Sequence, residues 1–160
     1  MHVSSMQTKK IHNTMKKLLA LTFALFAVAF SAKADDERPI TVQQLPAAAQ
    51  AFIKQHFADR QVALAKEELE FMSKSYEVVF TDLTKIEFAG NGQWTDMESK
   101  IGNLPASAIP EAINQYVNTN YPNNKIKSIE RKYGGYEVDL IGGLDLKFNN
   151  NFVLIGIDLD

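Results

Sequence analysis

The chain has no cysteine among its 160 residues. Disulfide bonds are therefore excluded, and so is the lipid anchor that bacterial lipoproteins carry on a cysteine. Histidine is almost as scarce, because His56 is the only one after residue 34, which excludes zinc sites built from cysteine and histidine. Without a thiol or a Gly-x-Ser-x-Gly segment the sequence offers no activated nucleophile. We expect a protein that is not an enzyme, with His56 on a helix surface.

The sequence also lacks a hydrophobic run long enough to span a bilayer comfortably. The apolar run at residues 18–30 follows the basic segment Met15-Lys16-Lys17 and precedes Ala32-Lys33-Ala34, a small-x-small cleavage pattern. Residues 1–34 are therefore predicted to be a signal peptide, and residues 35–160 a periplasmic or secreted domain that is not membrane-embedded. The polar stretch before Met15 fits no part of a signal peptide. Met15 is the expected true start, and a long n-region is the alternative.

Basic residues are few once the predicted signal peptide is removed. Residues 35–160 carry 12 basic and 19 acidic side chains, a net charge of −7. An acidic surface repels phosphate backbones, and no basic patch with interleaved aromatic residues occurs. We therefore expect no nucleic-acid partner.

What the sequence does contain is one order of motifs that occurs twice. Each half begins with a proline and an amphipathic helical run, to Phe57 in the first half and to Tyr121 in the second. Short strands separated by turn residues follow. The corresponding motifs are Leu45-Pro46, Tyr76-Glu77-Val78, Ile86-Glu87-Phe88 and Trp94 in residues 40–100, and Ile109-Pro110, Tyr136-Glu137-Val138, Leu146-Lys147-Phe148 and Phe152 in residues 101–160.

This repetition predicts an α+β fold made of two tandem repeats, each a helix followed by four antiparallel strands. Strict alternation of apolar and polar residues, as at 76–80 and 136–140, is typical of strands buried on one side. The two repeats would share one sheet of about eight strands, with both helices on one face and the other face open. Residues 35–39 are expected to be a loose N-terminus, and residues 41–45 and 104–109 to form extra helical turns.

The same motifs resemble the PepSY-like proteins of bacterial periplasms, which are related in fold to the beta-lactamase inhibitor protein. The resemblance covers nearly all of residues 35–160, and its motifs consist of hydrophobic spacing and turns. It implies a secreted, non-enzymatic protein that binds or inhibits another protein. The chain differs from the beta-lactamase inhibitor because it lacks cysteine, and no motif maps onto the contact residues of that inhibitor.

The open face is the predicted binding site for a protein or peptide. The alternation of the last strand requires Val153, Ile155, Ile157 and Leu159 to pack on the helices, so Phe152 and the equivalent Trp94, both large aromatic residues, point to this face. Exposed aromatic residues ringed by charge are typical of protein-binding hot spots. The alternatives are that both rings pack against a rim or between the two repeats, and that the charged residues are only a solvated face. The predicted binding residues are Trp94, Phe152, Glu77, Glu137, Asp139 and Lys147.

Calcium or another small ligand is the alternative function. Carboxylates near turns and the C-terminus could supply the oxygen ligands that calcium prefers. No stretch matches the loop of an EF-hand, so such a site would have to be assembled across several turns. No other cofactor is expected. The carboxylates concerned are Asp82, Asp145, Asp158 and Asp160.

Overall fold

A computed structural model of the chain describes residues 36–70 and 72–159. The predicted signal peptide, residues 1–34, and the expected start at Met15 lie outside the described residues. From Asp36 onward the chain forms one compact unit. Its described part is an α+β domain with two α-helices and nine strands. The predicted α+β class is confirmed, with nine strands in place of the expected eight.

The strands of the described residues form one antiparallel sheet, and each strand pairs with its neighbours in sequence. Strands β3 and β4 bury every second residue, as expected for a sheet with one face packed on a core. The strands are β1 Asp36–Pro39, β2 Val62–Glu70, β3 Ser73–Phe80, β4 Thr84–Ala89, β5 Trp94–Ser99, β6 Ile126–Lys132, β7 Gly135–Leu140, β8 Leu144–Asn149 and β9 Leu154–Leu159.

Strand β1 corrects the prediction of a loose N-terminus at residues 35–39. It pairs antiparallel with the second half of β2, from Asp36 opposite Leu69 to Pro39 opposite Lys66. Its sequence lacks apolar alternation, because ion pairs rather than burial tie it to β2. The Glu37 carboxylate lies 3.1 Å from the Lys66 amine. Proline is tolerated in this strand because it is at an edge of the sheet.

Two helices of equal length lie before the two groups of four strands. Helix α1 spans Ala47–His56 and helix α2 spans Glu111–Asn120, each directly after a proline. A short 3-10 helix precedes each one, at Val42–Gln44 and Ala106–Ala108. The helical turns that the sequence predicts before each helix are thus confirmed.

Both helices pack on the same face of the sheet. The Phe52 ring of α1 meets the Phe88 ring of β4 edge-on at 6.1 Å, and the Tyr116 ring of α2 meets the Phe148 ring of β8 at 5.4 Å. The core between the helices and the sheet is fully enclosed. Its largest completely buried side chains are Phe57, Phe80, Phe88, Phe148, Ile86, Met97, Ile113, Ile129, Leu140, Leu146, Val78 and Val117.

Four β-bulges interrupt the regular pairing, and two of them change the face to which the first residue of a strand points. In the β4–β5 pair, Glu87 is opposite Asp96 but Phe88 is opposite Trp94, so Thr95 is an extra residue. In the β8–β9 pair, Ile155 is extra in the same way. An inserted residue reverses the alternation of side chains beyond it. The other two bulges lie between Val62 and Leu64 and between Ile126 and Ser128.

Candidate binding face

The sheet face opposite the helices carries two rows of directly opposed polar residues. Directly opposed residues of antiparallel strands point to the same face and lie close enough to interact. The first row, from β2 to β8, is Lys66, Glu77, Glu87, Asp96, Glu130, Glu137 and Lys147. The second row, from β4 to β9, is Lys85, Glu98, Ser128, Asp139, Asp145 and Asp158.

The centre of this face is a depression of about 280 Å³ on strands β5, β6 and β7. Five carboxylates and one hydroxyl group line it, and we call it the acidic depression. The Ser128 hydroxyl on β6 donates a hydrogen bond to the Asp139 carboxylate on the neighbouring strand β7. The lining residues are Asp96, Glu98, Ser128, Glu130, Glu137 and Asp139.

Lysines at the rim neutralise the outer carboxylates. The Lys132 amine lies 2.6 Å from the Glu130 carboxylate and 3.4 Å from that of Glu137. The Lys100 amine lies 2.8 Å from the Glu98 carboxylate. These contacts hold the lysines at the ends of the strands and leave the middle of the depression without a cation.

Asp96 occupies that middle position. The pKa of Asp96 is raised to about 6, chiefly by burial and also by the neighbouring carboxylates of Glu87, Glu130 and Glu98, while Lys85 lowers it. Within residues 36–70 and 72–159 no lysine or arginine forms an ion pair with it. The depression therefore holds, at Asp96, a negative charge that no ion pair of the described residues neutralises.

Four of the predicted binding residues lie on this face. Glu77 lies between two lysines, 3.3 Å from the Lys66 amine and 3.9 Å from that of Lys85. Glu137 and Asp139 line the acidic depression. Lys147 closes the first row and lies 2.6 Å from the Asp158 carboxylate. The alternation of apolar and polar residues is sufficient to place all four.

Trp94 was wrongly predicted to lie on this face. Its side chain is only 6% exposed and belongs to the core. The bulge at Thr95 places Trp94 opposite the core residue Phe88, so its ring lies 6.5 Å from the ring of Phe52 on α1. The guanidinium of Arg131 covers the indole at 4.1 Å from the ring centre, which is a cation–π contact.

Phe152 was also wrongly placed. It lies in the turn before β9 with a φ of 60° and packs against the core, its ring stacked on that of Tyr136 at 5.3 Å. Its counterpart in the first half is not Trp94 but Gly92, which has a φ of 80° at the same point of the β4–β5 turn. The counterpart of Trp94 is Leu154, which lies opposite Phe148.

The prediction that β9 packs its alternate apolar residues on the helices is wrong. Ile157 and Leu159 lie opposite Leu146 and Leu144 and point to the helix side of the sheet, but β9 is an edge strand and the helices do not cover it. Four side chains remain exposed as a result: Val153 at 55%, Ile155 at 66%, Ile157 at 48% and Leu159 at 83%.

The predicted binding residues leave out four residues of the depression: Asp96, Glu98, Ser128 and Glu130. Ser128 and Glu130 lie on β6, whose Ile126 and Ile129 are three residues apart because a bulge follows Ile126. A spacing of three does not indicate a strand face, so only the pairing of β6 with β5 and β7 reveals these side chains.

The histidine and the turn carboxylates play other roles. The His56 ring lies 4.7 Å from that of Phe52, and burial lowers the pKa of His56; it is half-buried rather than on the surface. Asp82 pairs with the Arg60 guanidinium at 2.8 Å. Among the described residues no group of three or more Asp, Glu, His or Cys side chains is arranged to hold a metal ion. Asp160 lies outside the described residues.

The sequence profile of the PepSY-like family, provisionally described as beta-lactamase-inhibitor-like, matches residues 74–156. The chain belongs to this family. The match includes strands β4 to β8, most of β3, the first half of β9 and helix α2, and it contains all six residues of the acidic depression.

Three crystal structures from Bacteroides are similar to this PepSY-like chain. A provisionally named periplasmic protein from Bacteroides vulgatus ATCC 8482 is 48% identical with a TM-score of 0.74, covering 79% of this chain and 99% of its own. A protein from Bacteroides thetaiotaomicron, provisionally named calcium-regulated and periplasmic, is 51% identical with a TM-score of 0.75 and the same coverage. A second periplasmic protein from Bacteroides vulgatus ATCC 8482, of unknown function, is 33% identical with a TM-score of 0.70, covering 76% and 98%.

These relatives confirm the predicted periplasmic location. No helix of the described residues is long and apolar enough to cross a membrane. None of the curated proteins matches the chain. The family assignment therefore establishes fold and location, while the acidic depression is the feature of this PepSY-like domain from which a function has to be argued.

Proposed function

We propose that this protein is a non-enzymatic periplasmic binding module that holds a basic segment of another protein or peptide in the acidic depression. The observation that supports this most is the run of four directly opposed carboxylates on strands β4 to β7. They are Glu87, Asp96, Glu130 and Glu137.

Like charges placed directly opposite one another on adjacent strands destabilise a sheet. Desolvation adds to this cost at Asp96, whose pKa is raised to about 6. A cationic side chain from a partner would relieve both effects, because it neutralises the repulsion and pairs with the desolvated carboxylate. The depression is therefore better suited to a complex than to the free protein.

The dimensions of the face suit an extended segment that crosses the strands. Neighbouring strands are about 4.8 Å apart, so four carboxylates in a row span about 15 Å, a distance that two or three lysine or arginine side chains of one segment can cover. Lys66 and Lys147 lie at the two ends of the row. They would repel a basic segment that overshoots the depression, and so would help to fix its register.

This proposal keeps Glu77, Glu137, Asp139 and Lys147 as orienting residues and removes Trp94 and Phe152 as anchors. With few apolar groups on the face, affinity would come from charge and would fall as salt is added.

The direct test is to measure the binding of hexalysine by isothermal titration calorimetry at low and at high salt. The double variant Glu130→Gln, Glu137→Gln should lose at least about tenfold in affinity, equivalent to about 1.4 kcal/mol. The matched control Asp59→Asn, Glu111→Gln makes the same change in net charge at two exposed residues. Equal affinity of both variants would show that net charge alone attracts the peptide and would refute the site.

Calcium binding is the second candidate, favoured by the name of the relative from Bacteroides thetaiotaomicron. The oxygen atoms of the acidic depression are ligands of the type that calcium prefers, although its carboxylates would have to reorient to converge on one ion. Calcium at millimolar concentration should then raise the melting temperature relative to EDTA. The same addition should leave the Glu130→Gln, Glu137→Gln variant unchanged; a shift of equal size in both proteins would place calcium elsewhere.

We also infer that the two halves of the domain are copies of one unit. The bulges support this, since those at Val62/Leu64 and Glu87/Phe88 recur at Ile126/Ser128 and Lys147/Phe148. The charges of the halves then differ where the copies correspond: Glu87 matches Lys147 and Asp96 matches Gly156. This difference would confine the acidic depression to the middle of the sheet.

A further inference from the structure

The two edges of the sheet differ in how they are protected. At one edge, β1 carries Glu37, Arg38 and Pro39, and charge and proline are common devices that block pairing with another sheet. At the other edge, β9 contains no proline and a single charged residue, Asp158. Among the described strands β9 pairs only with β8, so one side of its backbone is available for hydrogen bonding.

Strand β9 also exposes an alternating apolar stripe. Ile157 lies opposite Leu146 and Leu159 lies opposite Leu144, so both side chains point to the helix side of the sheet. Ile155 is two residues before Ile157. These three side chains are 48% to 83% exposed, and such an edge is a template for another strand.

We propose that β9 pairs antiparallel with β9 of a second copy of this chain, about a twofold axis at Ile157. The stripe is self-complementary under this symmetry, because Ile157 meets Ile157 and Ile155 meets Leu159. Directly opposed residues of antiparallel strands share a face, so the apolar stripes of both copies stay on the helix side. This surface is separate from the acidic depression.

Charge favours this register over the one centred on Asp158. A shift that centres the axis on Asp158 would place two carboxylates directly opposite each other, which is unfavourable. The axis at Ile157 instead places Asp158 opposite Gly156 of the second copy. A Cβ on Gly156 would lie 3.5 Å from Cβ, and equally close to Cδ, of Lys147. The Lys147 side chain therefore lies across Gly156, where its amine can pair with Asp158 of either copy.

The chain lacks cysteine, so a single introduced cysteine gives a clean test. In protein purified from the periplasm, Ile157→Cys should oxidise to a covalent dimer, because opposed residues across the twofold axis lie within disulfide distance. The matched control is Ile101→Cys, at a position 73% exposed and far from β9 in sequence. Ile157→Cys should crosslink at least about tenfold faster than this control, because pairing raises the effective thiol concentration.

A charge exchange tests the register by sedimentation equilibrium without any crosslink. Lys147→Asp and Asp158→Lys should each weaken the dimer, because each leaves like charges at the two symmetric contacts. An equimolar mixture of the two variants should associate again, since every contact then joins opposite charges. Equal crosslinking of Ile157→Cys and Ile101→Cys, or a monomeric wild type at about 1 mM, would overturn the proposal. So would two variants that dimerise as the wild type does.

Discussion

The two faces of the sheet are built from the same strands but by opposite physical means. The helix-covered face is mainly apolar, and it includes the three buried phenylalanines Phe80, Phe88 and Phe148. The other face contains opposed carboxylates at partly exposed positions, with lysines at its rim. Burial of apolar area stabilises the first face, whereas charge repulsion weakens the second. The comparison teaches that the stability of this domain comes from one face, so the other can be specialised for recognition.

The largest expected effect is that of Trp94→Ala, which removes a buried ring from the helix-covered face. The free energy of unfolding should fall by about 3–5 kcal/mol, because the cavity adds to the lost burial. Glu130→Ala is the comparison on the polar face and should change stability by no more than about 0.5 kcal/mol. Urea denaturation measures both. Similar losses of unfolding free energy for the two variants would contradict the conclusion that the helix-covered face alone stabilises the domain.

The contact between α1 and the β4–β5 turn comes next. Gly92 has a φ of 80°, and a Cβ there would lie 2.8 Å from the Pro46 Cβ and 3.0 Å from the Ala49 nitrogen. Gly92→Ala should therefore cost about 2–3 kcal/mol, from backbone strain and collision together. Gly134→Ala isolates the strain, because Gly134 has a φ of 98° with nothing within 4 Å. Gly134→Ala should lower the free energy of unfolding by about 1 kcal/mol. Thermal denaturation measures both variants, and equal losses would exclude a collision at Gly92.

The sequence was sufficient for the helices, the strand order and the side chains at regular positions such as Glu77 and Asp139. It failed where the regular period of two is broken. The bulge at Thr95 reverses the alternation, so Trp94 joins the core, and the bulge at Ile155 turns Leu154 toward the core in the same way. A bulge depends on the partner strand, which local sequence does not reveal. Strand β1 escaped prediction for a related reason, since its ion pairs need β2 as a partner.

A smaller effect of opposite sign is expected for Asp96→Asn. The substitution removes the charge at the centre of the acidic depression and keeps the size of the side chain. At neutral pH the free energy of unfolding should rise by about 1 kcal/mol, a modest gain because solvent screens a partly exposed carboxylate. Hexalysine should bind the variant more weakly. A loss of stability in chemical denaturation would mean that the Asp96 charge has a favourable partner.

The same carboxylate predicts a weak dependence of stability on pH. The pKa of Asp96 is raised from 3.8 to about 6 in the folded protein, so the folded state binds the proton more tightly than the unfolded state. Its destabilising contribution is present in full above pH 6 and decreases as the pH falls toward 3.8. The difference in unfolding free energy between wild type and Asp96→Asn should shrink over this interval. Measuring the difference cancels the effect of groups that titrate in both proteins. A difference that grows on acidification would show that the Asp96 pKa is lowered, and that the polar face stabilises the charged carboxylate instead of destabilising it.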